Sequence, residues 1–306
     1  MSTPKVNETV DWITLQAQLP LDPNLLELND TETAFFKAQT KINDDDALRE
    51  HILSAQHKAF AIFPYPCIRR FAFAKLKISR SPVYDEILRL GRERPGAILL
   101  ELGCCFGNDA RKAVADGFPG AQVVASDIQA EFWALGHELF RDSEQTCAIR
   151  FVQGDVFSDA FIDPAAPTTD KYEDPIAACV AQGNLNALRG RASAIHASSF
   201  FHLFNEAQQL DVARRCNLLL SSEPGSIIFG SHGGLAVACS RPGGRDAYLH
   251  SPESWEKMWA QVVPDGSVIV EAKLAGWEYD GTKREGFSPE ARQGDGGWLV
   301  WAVKRI

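Results

Sequence analysis

The sequence predicts an α/β fold in which a mostly helical segment precedes a sheet built from β-α-β units. Three observations carry this reading. From Gly96 onward, short apolar runs alternate with segments of helical period. The apolar run Ile98 to Leu102 breaks at Gly103, crosses the small residues Cys104 and Cys105, and reopens at Gly107 into a helix start at Asn108. Residues 1–95 instead show amphipathic helical spacing interrupted by prolines.

In the first segment, Trp12 to Leu19, Thr31 to Lys41 and Ala47 to Phe60 have helical spacing, the last opened by Asp44, Asp45 and Asp46. Pro64 and Pro66 are expected to stop any helix and hold the chain extended through Ile68. Pro82 opens another helix, ended by Gly91 and Pro95. Residues 1–95 are therefore expected to form a helical cap or lid over the mouth of a core spanning residues 96–306.

In the core, strands are expected at Ala97 to Leu102, Gln122 to Ser126, Ile149 to Gln153, Ala192 to Ser199 and Ser226 to Gly230. Helices are expected at Asn108 to Asp116, Gln129 to Phe140 and Glu206 to Leu220, with another from Pro252 to Val263 capped by Ser251. Two late runs, Ser267 to Leu274 and Trp298 to Val303, are joined without a helix, which suits an antiparallel pair at the sheet's end. An insertion at about residues 158–191 carries Pro164, Pro167 and Pro175 and a helix candidate at Ile176 to Leu188. It is placed on the ligand side, where it is expected to shape a substrate pocket or to be a neutral surface insertion.

At 306 residues the chain has room for one large domain, or one domain with an appended cap. A net charge of −9 disfavours a phosphate-tracking surface, so no nucleic acid partner is expected. The seven cysteines show neither paired zinc spacing nor a disulfide framework. The N-terminus lacks an apolar signal core and no run reaches transmembrane length, so the expectation is a cytoplasmic protein without membrane contact. A homodimer is left open.

Chemistry enters with three acidic residues at successive strand ends: Glu101, Asp127 and Asp155. Parallel strands end on one face, so these carboxylates should line one crevice. Glu101 suits the glycine loop and the cationic amino group of a cofactor's amino-acid tail. Asp127 stands where it can accept from both ribose hydroxyls, and Asp155 from an exocyclic adenine amine. A dinucleotide fits poorly. The middle glycine that lets backbone approach a pyrophosphate is replaced by Cys105, and Asp109 at the helix start would repel a diphosphate. S-adenosylmethionine carries no phosphate and has a sulfonium that tolerates carboxylates, so it is the expected cofactor. No metal site is expected, since the strand-end acids have cofactor tasks and no further carboxylate cluster is visible.

The stretch Glu101 to Gly107, with Asp127-Ile128 and Asp155-Val156-Phe157, resembles class I S-adenosylmethionine-dependent methyltransferases. More narrowly it is similar to the fungal secondary-metabolism group that includes meroterpenoid-pathway O-methyltransferases. Tyr65 to Ile68, Ser199 to Phe204, Phe229 to Gly234 and His250 to Trp255 carry that narrower likeness, which runs from about residue 60 to the C-terminus. The glycine loop departs from the generic pattern at Cys105, where the narrower group shares the departure. The resemblance implies a Rossmann-like, seven-stranded class I methyltransferase sheet with an N-terminal helical cap.

It also implies cofactor contacts at Glu101, Gly103, Cys104, Gly107, Asp127, Ile128, Asp155, Val156 and Phe157. On the acceptor side, His202 follows the fourth strand and is the candidate catalytic residue, able to take a proton from a hydroxyl or to orient a carboxylate. Tyr65, Phe201, His232, Arg241, His250 and Trp255 are the substrate-pocket candidates. The implied activity is methylation of a small-molecule acceptor, with oxygen of a carboxyl or hydroxyl group as the first expectation. Nitrogen or carbon methylation and a non-catalytic cofactor-binding protein are the alternatives.

Overall fold

Ile98–Leu102 forms β1, buried at all five positions, in the computed structural model, which describes residues 17–166, 172–240, 246–264, 266–282 and 296–306. Its side chains alternate between two packed faces. Ile98, Leu100 and Leu102 pack with Val124, Ile195, Leu219 and Trp255 on one side. Leu99 packs with Ile87, Ala110, Ala113 and Phe118 on the other, and Glu101 shares that second face by the same period. A continuous apolar run is what burial on both faces demands.

Ahead of β1 lie α1 (Asp30–Thr40), α2 (Asp45–Ile62), the single turn α3 (Pro66–Arg69) and α4 (Tyr84–Glu93). Asn29 and Glu32 form a reciprocal capping box at the start of α1, and the Asp44 side chain caps α2 by accepting from the Ala47 N–H. Of the helix expected from Trp12 to Leu19, residues 12–16 lie outside the described residues. Pro66 does not hold the chain extended. It takes the first position of α3, where its missing N–H costs nothing.

After β1 come α5 (Asn108–Ala115), β2 (Val123–Asp127), α6 (Ala130–Phe140), β3 (Arg150–Gln153), α7 (Pro175–Gln182), β4 (Ala192–His196), α8 (Glu206–Leu219) and β5 (Ile227–Leu235). A small hairpin, β6 (Cys239–Ser240) with β7 (Tyr248–Leu249), precedes α9 (Pro252–Ala260), β8 (Val268–Ala275) and β9 (Gly296–Arg305). The seven-stranded sheet has the order β3-β2-β1-β4-β5-β9-β8. β1 to β5 are parallel, and β9 runs antiparallel between β5 and β8.

Several expectations shift: β4, expected to run to Ser199, ends at His196, and α4 runs past Gly91 to Glu93. The helix expected from Ile176 to Leu188 ends at Gln182, because Gly183 turns left-handed at φ 65° and caps it. β5 runs on to Leu235 rather than stopping at Gly230, its Gly233 and Gly234 pairing with Trp298 and Gly297 of β9. Ser251 caps α9 as expected, accepting from the Ser254 N–H at 3.2 Å.

The N-terminal helices share a third apolar cluster with the glycine loop and α6. Phe35, Phe36, Leu48 and Ile52 pack with Phe106, Phe132, Leu139 and Phe140. Phe36 stacks on Phe140 at 5.5 Å, and Phe73 on Phe106 at 4.5 Å. Among the described residues, no helix is long and apolar enough to cross a membrane.

Candidate functional site

The chain leaves β3 at one edge and re-enters the sheet at β4, across β1. The topological switch point therefore lies between the carboxyl ends of β1 and β4, where an open parallel sheet leaves a crevice. The loop after β1 borders it. Gly103 and Gly107 are both left-handed, at φ 69° and 68°. A Cβ on Gly103 would lie 2.6 Å from the Phe200 ring, and one on Gly107 would run into Trp133. Glycine is required twice at each position, for the turn and for the close approach. Cys105 and Ser199 also adopt positive φ, 52° and 56°, although neither is glycine. Non-glycine residues held there cluster at functional crevices, and these two flank this one.

The loop hangs on β2. Gly103 and Cys104 donate to the Ser126 carbonyl at 2.9 and 3.1 Å. Cys105 N–H donates to Asp127 Oδ2 at 2.8 Å, and Gln129 N–H to Asp127 Oδ1 at 3.0 Å. Burial raises the Asp127 carboxyl above its ordinary range. Each of its oxygens keeps a second lone pair for a ligand hydroxyl. At the end of β3, Asp155 is exposed and accepts from the Phe157 N–H at 2.9 Å, with Val156 buried below. Ile128, beside Asp127, is 51% exposed.

Glu101 is 4% exposed and works from beneath the loop. Its Oε2 accepts from the Ala110 N–H at 3.0 Å, which fixes the first turn of α5. Expected also to meet a cofactor's amino group, it is instead turned toward Asp109 and His196. Its Oε1 lies 3.5 Å from Nδ1 of His196, its register partner on β4. Asp109, expected to repel a diphosphate, is turned inward too, and its Oδ1 accepts from the Ile78 N–H at 3.0 Å.

Burial pushes the Glu101 carboxyl up to about 8 and that of Asp109 to about 6, and pushes the His196 imidazole down to about 4. At neutral pH the Glu101–His196 contact is therefore between two neutral groups. The ligand atoms of Glu101, Asp109 and His196 all lie within 4.8 Å of one another, a carboxylate–imidazole cluster that the sequence reading did not expect. Among the described residues it is the one such group close enough to hold a cation. The charge of Lys77 acts on all three members. A proton shared within the cluster suits that neighbour better than a metal ion would.

On the acceptor side, His202 sits half-buried on the turn after β4. Its Nδ1 accepts from the Gly233 N–H at 2.9 Å. Phe201, His232, His250 and Trp255, expected as pocket wall, are each 1% exposed or less and pack as one aromatic cluster. A side chain with no open surface cannot touch an acceptor in this conformation, so these four support the site from inside. Tyr65 packs against Phe63 in a tilted pair at 4.2 Å and reaches Phe132 of α6 at 6.0 Å. Arg241 lies outside the described residues.

Phe200 and Phe204 were not singled out by the sequence reading. Phe200 covers Gly103, and Phe204 meets Phe157 edge-on at 4.9 Å, joining the end of β3 to the turn after β4. The repeated aromatics in Ser199 to Phe204 were the available signal.

A sheet in this order, with one antiparallel strand in its sixth position and its crevice between β1 and β4, is the class I methyltransferase arrangement. Residues 21–74 match the family described as meroterpenoid methyltransferase N-terminal domain. The Asnovolin E/Chermesin D methyltransferase nvfJ of Aspergillus novofumigatus is 34% identical, over 84% of this chain and 87% of its own length. Methyltransferase adrK of Penicillium rubens is 32% identical, over 84% of this chain and 83% of its own. O-methyltransferase atr3 of Stereocaulon alpinum is 30% identical, over 79% of this chain and 67% of its own. The chain belongs to this family of fungal secondary-metabolism methyltransferases. The match also reaches back to residue 21, so the likeness expected from about residue 60 takes in α1 and α2.

Proposed function

We propose that the protein methylates an oxygen of a small-molecule acceptor with S-adenosylmethionine, and that this oxygen belongs to a carboxylate. When bound, the cofactor supplies a methyl group already activated on a sulfonium. Asp127 would hold its ribose, Asp155 its adenine amine, and Ile128 and Phe157 the apolar adenine faces. The protein's remaining tasks are to align the acceptor oxygen and to exclude water around it. The name of the relative atr3 supports oxygen as the methylated atom.

The observation that carries the acceptor reading is the bond from Gly233 N–H to His202 Nδ1. A ring nitrogen that accepts carries no proton, so the ring proton sits on Nε2 and His202 offers a donor there. A donor orients an acceptor that is already ionised. A hydroxyl acceptor would need the opposite tautomer, with a bare nitrogen to take its proton. Carboxylates are ionised at neutral pH and need no base.

The test pairs small carboxylic acids with their hydroxyl analogues in a methyl-transfer assay. Methylation is expected on the acids. His202→Ala is expected to raise KM for the acid roughly tenfold, the worth of a charge-assisted hydrogen bond, with kcat less affected and its pH profile unchanged. Preferential methylation of the hydroxyl compounds, with a kcat in the wild type that follows one ionisation lost in the variant, would make His202 a general base instead.

A further inference from the structure

Besides Glu101, which is neutral at neutral pH, three carboxylates border the crevice or lie under its loop: Asp109, Asp127 and Asp155. The amino-acid tail of the cofactor ends in an α-carboxylate, which such surroundings repel unless a cation is placed among them. The position of the tail follows from the other contacts. Asp155 ends β3 and Asp127 ends β2, so an adenosine held by both lies over β2 and β3, and its tail runs across β1 toward β4.

Lys77 stands at that end. Its Nζ donates to Ser199 Oγ at 3.0 Å, on the strained turn that follows β4, next to the Phe200 ring that covers Gly103. It is half-buried; its hydrogen bond goes to this neutral hydroxyl, and its charge otherwise acts through space on Glu101 and Asp109 beneath the loop. Three neighbouring cations are committed elsewhere. Arg111 bonds both oxygens of Asp142, and Lys75 and Arg80 both pair with Glu32.

The backbone that presents Lys77 is fixed from two sides. Asn108 Nδ2 donates to the Lys75 carbonyl at 2.7 Å, and Asp109 accepts from the Ile78 N–H. Both anchors are the residues that open α5 directly after the glycine loop. Glu32 holds Lys75 and Arg80 from α1.

We infer that Lys77 binds the α-carboxylate of the cofactor's amino-acid tail, so that the segment before the core supplies a cofactor ligand; this rests on the S-adenosylmethionine reading above. The cofactor and the N-terminal segment are then coupled. A bound tail ties the Lys75–Arg80 strap to the carboxyl ends of β1 and β4, and a displaced strap removes the cation that the tail requires.

Two ligands separate this role from a structural one. S-adenosylhomocysteine carries the tail, and 5′-methylthioadenosine has the same adenosine and thioether without it. Calorimetric titration of the full chain with each is expected to show that Lys77→Met weakens S-adenosylhomocysteine roughly 10- to 100-fold, the loss of one charge-assisted hydrogen bond. The same variant should hold 5′-methylthioadenosine within about twofold of the wild type, well inside what that lost bond is worth. Lys77→Arg should recover most of the loss. Equal weakening of both ligands, or none for S-adenosylhomocysteine, overturns the assignment. Wild-type protein that binds neither ligand overturns the cofactor reading itself.

Discussion

Burial decides which groups beneath the glycine loop carry charge. Glu101 has an ordinary value of 4.5 and a folded value of about 8, so between those limits the folded protein keeps a proton that the unfolded chain has released. Its contribution to stability is full below pH 4.5 and is lost as pH rises toward 8. Asp109 acts in the same direction between 3.8 and about 6, and His196 in the opposite one, losing stability as pH falls from 6.5 toward 4. Glu101→Gln keeps an acceptor for the Ala110 N–H and removes the titration. Urea unfolding at about pH 5 and pH 8 is expected to show a smaller loss of stability in the variant than in the wild type. Equal losses would show that Glu101 is ionised in the fold. The three strand-end acids were legible because each closes a short strand run. The inward turn of Asp109 was not, since its partner Ile78 lies 31 residues away on a different element. Lys77 was missed for the same reason, its contact with Ser199 spanning 122 residues. The tautomer of His202 depends on one backbone N–H of β5, which no local pattern reveals.

Among the elements, the strap from Lys75 to Arg80 is anchored by side chains from both α1 and α5. Glu32 is 1% exposed and pairs with Lys75 at 2.9 Å and Arg80 at 2.7 Å, with Lys75 itself buried. Removing one partner of such a pair leaves a buried charge uncompensated. Glu32→Ala is therefore expected to cost about 3–5 kcal/mol in denaturant unfolding. Breaking the exposed Lys257–Glu253 pair on α9 with Glu253→Ala should leave stability unchanged. Similar effects from both variants would show that the Glu32 network is not buried in solution. At this scale the sequence was readable wherever one period dominated, as in β1, β4 and α6. It misled where glycine served pairing instead of turning. Gly230 to Gly234 has the look of a loop, yet it continues β5 because β9 offers a long partner with its own glycines at the matching register. Gly183 did the reverse, ending α7 inside an apolar run that read as one helix.

For the whole molecule, alternation of strand and helix periods was enough to reach the parallel core and its late antiparallel pair. The full strand order, and hence the switch point between β1 and β4, needed the structure. That position is what brings the glycine loop, Asp127, Asp155, the turn after β4 and the Lys75–Arg80 strap around one crevice. Acidic groups dominate it, in keeping with a net charge of −9, and a diphosphate would meet their repulsion. The central claim is that this crevice holds S-adenosylmethionine and not a nicotinamide dinucleotide. Its most direct test is calorimetric titration of the full chain with S-adenosylhomocysteine and, separately, with NAD. Saturable binding of S-adenosylhomocysteine at one site per chain, accompanied by a rise in Tm that NAD does not produce, is the expected result. Saturable binding of NAD with none of S-adenosylhomocysteine would contradict it.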